Sequence, residues 1–167
     1  MIIGLIMLLL LTVIGLASIR GTSLQEQMTG NMRDHNLAFQ SAESALRLGE
    51  EVLNKPTITV PFDNTTVGYY TDLMLPAATY TRPITWTKAQ WEARSVQLPA
   101  STLSNVTEQP RYVLEKLTVP VVAATQGGGI DSESKDKSPD AIYFRVTARG
   151  LGGTADSEVI VQSTFVR

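Results

Sequence analysis

The apolar positions fall into three regimes along the chain. From Met1 to Ile19 no residue is charged, and the run IIGLIMLLLLTVIGLASI is Leu, Ile, Met, Val and small residues on every side. As a helix this stretch rises about 28 Å, close to the ~30 Å hydrocarbon core of a bilayer. From Arg20 to Lys55 the apolar positions turn periodic. Leu24, Met28, His35, Ala38, Ala42, Leu46 and Leu53 recur mostly at three- or four-residue steps, while Arg33, Asp34, Glu43, Arg47, Glu50 and Glu51 lie largely off that stripe. The spacing predicts an amphipathic helix. Pro56 ends it, because proline lacks a donor and disfavours helix in the residue before it. Joined, the two stretches make one rod of roughly 50 residues, ~80 Å long. A rod greasy in its first half and two-faced in its second packs its halves against different things.

After Pro56 the chain turns to β. TITVPF (57–62), AATYTRPITW (77–86), RYVLEKLTVPVV (111–122), AIYFRVTARG (141–150) and SEVIVQSTFV (157–166) are rich in Val, Ile, Thr, Tyr and Phe, and several alternate between turn residues, as strands do. The last two face each other across LGGTAD (151–156), a hairpin with a longer loop. Residues 88–96 (KAQWEARSV) predict a short helix or turn, and 126–140 has the composition of a surface loop. The divisions expected are 1–20 for the apolar half of the helix, 21–55 for its amphipathic half and 56–167 for a globular head. Gly15, Gly21 and Gly30 interrupt the helix. Each costs about 1 kcal/mol relative to Ala. They mark either close helix packing or a point that unwinds as the helix leaves lipid.

Composition narrows the chemistry. A net charge of −2, with both signs mixed through the chain, leaves no basic stripe for nucleic acid. The absence of cysteine excludes disulfides and thiolate zinc sites. A cleaved secretory signal is not expected, since no basic region precedes the apolar run, the run is long and the helical pattern continues through it. His35 is the only histidine and sits on the helix stripe, so it is read as a packed or capping side chain. GGGID (127–131) lacks the spacing of a phosphate-binding loop. Asp131, Glu133, Asp136 and Asp140 lack calcium-loop spacing and are interleaved with Lys135 and Lys137. Glu43, Glu50 and Glu51 read as exposed helix charges beside Arg47. Trp86, Trp91, Tyr69, Tyr70 and Tyr80 read as head core before binding surface. Asn64-Thr65-Thr66 and Asn105-Val106-Thr107 match a short glycosylation pattern. No cofactor and no catalytic residue is expected.

The run LLLLTVIGLASIRGTSLQEQMTGNMRDHNLAFQSAESALRLGE (8–50) resembles the amino-terminal region of PilX-type minor pilins of type IV pili. The resemblance lies in the Leu-rich helix, T-x-x-G, the single Arg20 leaving the apolar run, L-Q-E-x-M-x-G-N and A-F-Q-x-A-E-x-A-L-R-x-G-E. RYVLE (111–115), YFRVTARG (143–150) and VQSTF (161–165) are similar to the strands that close the same family. The resemblance implies an α+β pilin fold, in which one very long N-terminal helix packs on a C-terminal antiparallel sheet head. It implies insertion in the inner membrane, trimming by a prepilin peptidase, and assembly with other major and minor pilins through the helices. Minor members of this kind form an initiating complex at the filament tip. The family's short basic leader ending in Gly is not seen before Met1, so the numbering is expected to start at the mature residue or a few residues inside it. Most filament-forming pilins also carry a Glu near the start of the helix, whereas here no acidic residue precedes Glu26. A subunit with Leu5 in that region enters lipid readily and neutralises no neighbour's amino terminus, which suits a tip position.

Filament contacts are expected from Leu5, Leu8, Leu9, Leu10, Leu11, Thr12, Gly15 and Arg20. Helix–head packing is expected from Leu24, Met28, Phe39, Ala42, Leu46 and Leu53. Three other readings stand beside the minor pilin: the principal subunit of a filament, a minor pseudopilin of type II secretion, and a membrane-tethered adhesin or binding module.

Overall fold

The computed structural model describes residues 1–71, 81–118 and 142–167. Helix α1 runs unbroken over Ile2–Asn54. It stops where expected: Lys55 is extended (φ −64°, ψ 142°), the conformation that Pro56 favours in its neighbour. The Arg167 guanidinium donates to the carbonyls of Leu53 (3.4 Å) and Pro56. A cation thus sits at the negative end of the helix.

The head is a mixed sheet of five strands among the described residues. They are β1 Tyr69–Thr71, β2 Val96–Gln97, β3 Arg111–Leu117, β4 Tyr143–Leu151 and β5 Glu158–Val166, with a short helix α2 at Lys88–Arg94. Strands β3, β4 and β5 are antiparallel, with Leu114, Val146 and Ser163 in register. The other edge of β3 is shared end to end: β2 runs antiparallel beside Arg111 and Tyr112, and β1 runs parallel beside Leu114 to Lys116. The sheet is therefore not wholly antiparallel, as had been expected. A parallel neighbour needs a crossover, and this one carries α2 and β2.

One expected strand is not formed, and of a second only the part from 81 to 86 is described. Residues 57–62 form an irregular segment, since Pro61 cannot donate to a ladder. The segment still contributes Ile58 and Phe62 to the core. At Pro83–Thr85 the chain makes a 3-10 turn; residues 77–80, 119–122 and 126–140 lie outside the described residues. The short β1 and β2 carry too little periodicity to stand out in sequence. Before β1, Gly68 holds φ +84°, a conformation available to glycine at no steric cost.

Strands β3 and β4 are buried on both faces. Toward α1 the sheet presents Tyr112 and Leu114 of β3 with Phe144, Val146 and Ala148 of β4, which close over Ala45 and Leu53. Burying each large apolar side chain of this kind contributes about 1.5–3 kcal/mol. The opposite face is covered by α2 and the turn before it. There Trp86 and Trp91 pack edge to face (centroids 5.3 Å apart) with Tyr70 and Val113. The Gln90 side chain caps α2 by accepting the Thr87 N–H at 2.9 Å. On the same face the buried Glu115 accepts from Arg145 across the ladder at 3.2 Å, and Arg149 pairs with Glu158 at 3.0 Å.

Helix and sheet approach closely because both are stripped of bulk at the crossing. Ala38, Ser41, Ala42, Ala45 and Gly49 are buried along one helix face, at steps of three, one, three and four. They meet Val146, Ala148 and Gly150 of β4. A Cβ at Gly150 would lie 2.2 Å from the Ala42 nitrogen, and one at Gly49 would lie 2.6 Å from a Val146 methyl.

Candidate functional site: the uncovered helix

Every residue from Met1 to Arg33 is exposed, and among the described residues the head first touches α1 at Asp34. The uncovered stem, Ile2 to Arg33, is about 48 Å long at 1.5 Å per residue. Leu5, Leu8, Leu9, Leu10 and Leu11 project into open space, as do Thr12, Gly15 and Arg20. The Thr12 hydroxyl donates to the Leu9 carbonyl at 2.8 Å, so it needs no partner outside the helix. This is the one described helix long and apolar enough to cross a membrane. Water does not tolerate such a surface, because each large side chain left uncovered forgoes about 1.5–3 kcal/mol. Lipid or other apolar helices can cover it.

The residues expected between helix and head divide. Ala42 and Leu53 are buried, and Leu46 packs half-buried at the edge of the core. Leu24, Met28 and Phe39 are exposed, at 61%, 72% and 47%. Leu24 and Met28 lie below the reach of the head, and Phe39 is turned toward its flank. A stripe spaced near 3.5 residues drifts around a straight helix by about 20° per heptad, so it cannot stay under one sheet. His35 is exposed as well. Glu43 pairs with Arg47 at 2.6 Å, while Glu50 accepts from the Ser163 hydroxyl at 2.6 Å and so joins helix to β5.

Sequence reasoning missed the latch where stem meets head. Asp34 takes the β4–β5 turn in its carboxylate: it accepts the N–H groups of Gly153 (2.5 Å) and Thr154 (3.2 Å) and the Thr154 hydroxyl. The Thr154 and Ser157 side chains stabilise its charged form most, burial opposes them, and the Gly153 and Thr154 amides add to the stabilisation, so its pKa is lowered from 3.8 to about 2. Gly152 must be glycine-sized, since a Cβ there would lie 2.5 Å from Asp34 Oδ1. The Thr107 amide and hydroxyl donate to the Gly152 carbonyl at 2.8 and 3.1 Å and hold the turn from the other side. The signal available in sequence was the glycine pair after β4, a turn that must pass close to something. Beside the latch lies an open groove of about 820 Å³, lined by Gly30, Arg33, Asp34, Leu37, Asn105 and Thr154.

A single helix, uncovered and apolar at one end and bearing a docked sheet head at the other, defines a pilin-type subunit. The family model for the PilX N-terminal region matches residues 1–47, and that for the C-terminal region of the type IV pilus assembly protein PilX matches residues 52–167. The chain belongs to the PilX family of type IV pilus proteins, a family of structural pilus components, and is a subunit of the minor pilin type. No curated protein and no solved structure matches it. Membership in this family implies interaction with other pilus components, and the apolar helix suits anchoring in a membrane before assembly.

Proposed function

We propose that this chain is a PilX-like minor pilin that helps initiate type IV pilus assembly and is held in or at the tip of the filament. Before assembly it resides in the inner membrane, single-pass with its head periplasmic, and its partners there are prepilin peptidase and the pilus assembly machinery. The observation that carries the proposal is the stretch from Met1 to Ile19, exposed on every side of α1 and free of carboxylates, in a member of a pilus family. On assembly this segment exchanges lipid for the helices of other pilins. Leu5, Leu8, Leu9, Leu10, Leu11, Thr12 and Gly15 supply that contact, and Arg20 marks where the helix leaves lipid. A buried carboxylate is costly unless it meets an opposite charge. The stretch from Met1 to Ile19 carries no carboxylate and so asks for no such partner, which suits a tip position.

Deleting the gene, restoring it on a plasmid and counting surface filaments tests the role. Mass spectrometry of sheared filaments measures the protein's abundance in them. Lost piliation with a trace amount in filaments supports initiation at the tip. Abundance matching the bulk subunit would make it the principal pilin, and intact piliation with lost surface binding would make it a tethered binding module. Leu5→Glu adds a second test, because normal incorporation of that variant throughout the filament would remove the tip argument.

A further inference from the structure

We draw no further inference here: the strongest candidate, the open groove of about 820 Å³ between α1 and the β4–β5 turn, lined by Arg33, Asp34, Asn105 and Asp156, carries nothing because nothing in the structure shows what covers it.

Discussion

Gly150→Ala adds one methyl group at the tightest point between α1 and the sheet. The new carbon would lie 2.2 Å from the Ala42 nitrogen, 2.4 Å from the Ala38 carbonyl oxygen and 2.8 Å from the Ala42 Cα. Ordinary carbon contacts need about 3.5–4.0 Å, and all three neighbours are backbone, so no side chain can swing aside. The helix must withdraw by more than an ångström. A gap of 0.5–1 Å already forfeits a quarter to a half of the dispersion attraction at each contact, and Ala38, Ala42 and Ala45 share that loss. Gly150 is not in the left-handed region, so the cost is one of space alone. Overpacking typically costs 1–3 kcal/mol; with a helix backbone having to move, the expected value is about 3 kcal/mol, roughly a hundredfold in the folded-to-unfolded ratio. Urea unfolding of the full chain in mild detergent, followed by the fluorescence of the buried Trp86 and Trp91, reads this as a lower midpoint at unchanged slope. Gly30→Ala is the control. It is the same chemical change in open space, and is expected to be neutral or stabilising by up to about 1 kcal/mol. If Gly150→Ala unfolds within about 0.5 kcal/mol of wild type, the close approach is not what holds the head.

The Asp34 latch predicts an acid limb. Its carboxyl is depressed from 3.8 to about 2, so its contribution is complete above pH ~4 and is lost as pH falls from there through about 2. Asp34→Asn should flatten that limb. Because Asp63 is depressed to about 2 as well, the readout must be local, namely the pH dependence of the Gly153 and Thr154 amide resonances; curves identical to wild type would remove the latch. Glu115→Leu leaves Arg145 without its partner on a covered face and should cost about 3 kcal/mol. Adding Arg145→Leu should recover most of that in the same urea assay, and a double variant as weak as the single would show that the pair itself is not the source. One alanine inserted after Gly30 turns the stem by about 100° relative to the head while lengthening it only ~1.5 Å. Head unfolding should be unchanged and recovery in sheared filaments lost. Seven inserted residues return the phase to within about 20° and should restore part of the recovery; wild-type recovery of the one-residue variant would show that phase does not matter.

The helix was legible end to end because each of its boundaries has a local cause: apolar composition below, a three- and four-residue rhythm above, and Pro56 at the stop. Strands β3, β4 and β5 were legible for the same reason, as runs of β-branched and aromatic residues bounded by turns. Residues 57–62 misled because their composition is that of a strand, while Pro61 denies them a ladder. The short β1 and β2 exist only through β3, and nothing local marks them. Partition of the helix faces was the part least available from sequence. Leu24, Met28 and Phe39 share the apolar rhythm of Ala42, Leu46 and Leu53, yet which of them meets the sheet depends on where the head ends and how the helix turns. The residues that decide the fit, Ala38, Ala45, Gly49 and Gly150, are small, and a reading guided by bulk passes over them.

Small residues at the crossing explain why bulky ones are left elsewhere. An Ala- and Gly-lined face brings the sheet close to the helix axis, and the head is held there by Leu53 above, Asp34 below and backbone contact between. No linker separates the head from the apolar half, because α1 is continuous from Ile2 to Asn54. Any helix that packs on the stem therefore fixes the direction in which the head points, and a rotation at one end is delivered to the other. A protein built this way meets its neighbours through phase as much as through chemistry. Leucines on every side of the first half accept packing at many rotations, which suits exchange of lipid for protein. The second half is committed on one side, where Ala38, Ala42, Ala45 and Gly49 are buried against the sheet, and this face fixes how the head is turned on the stem.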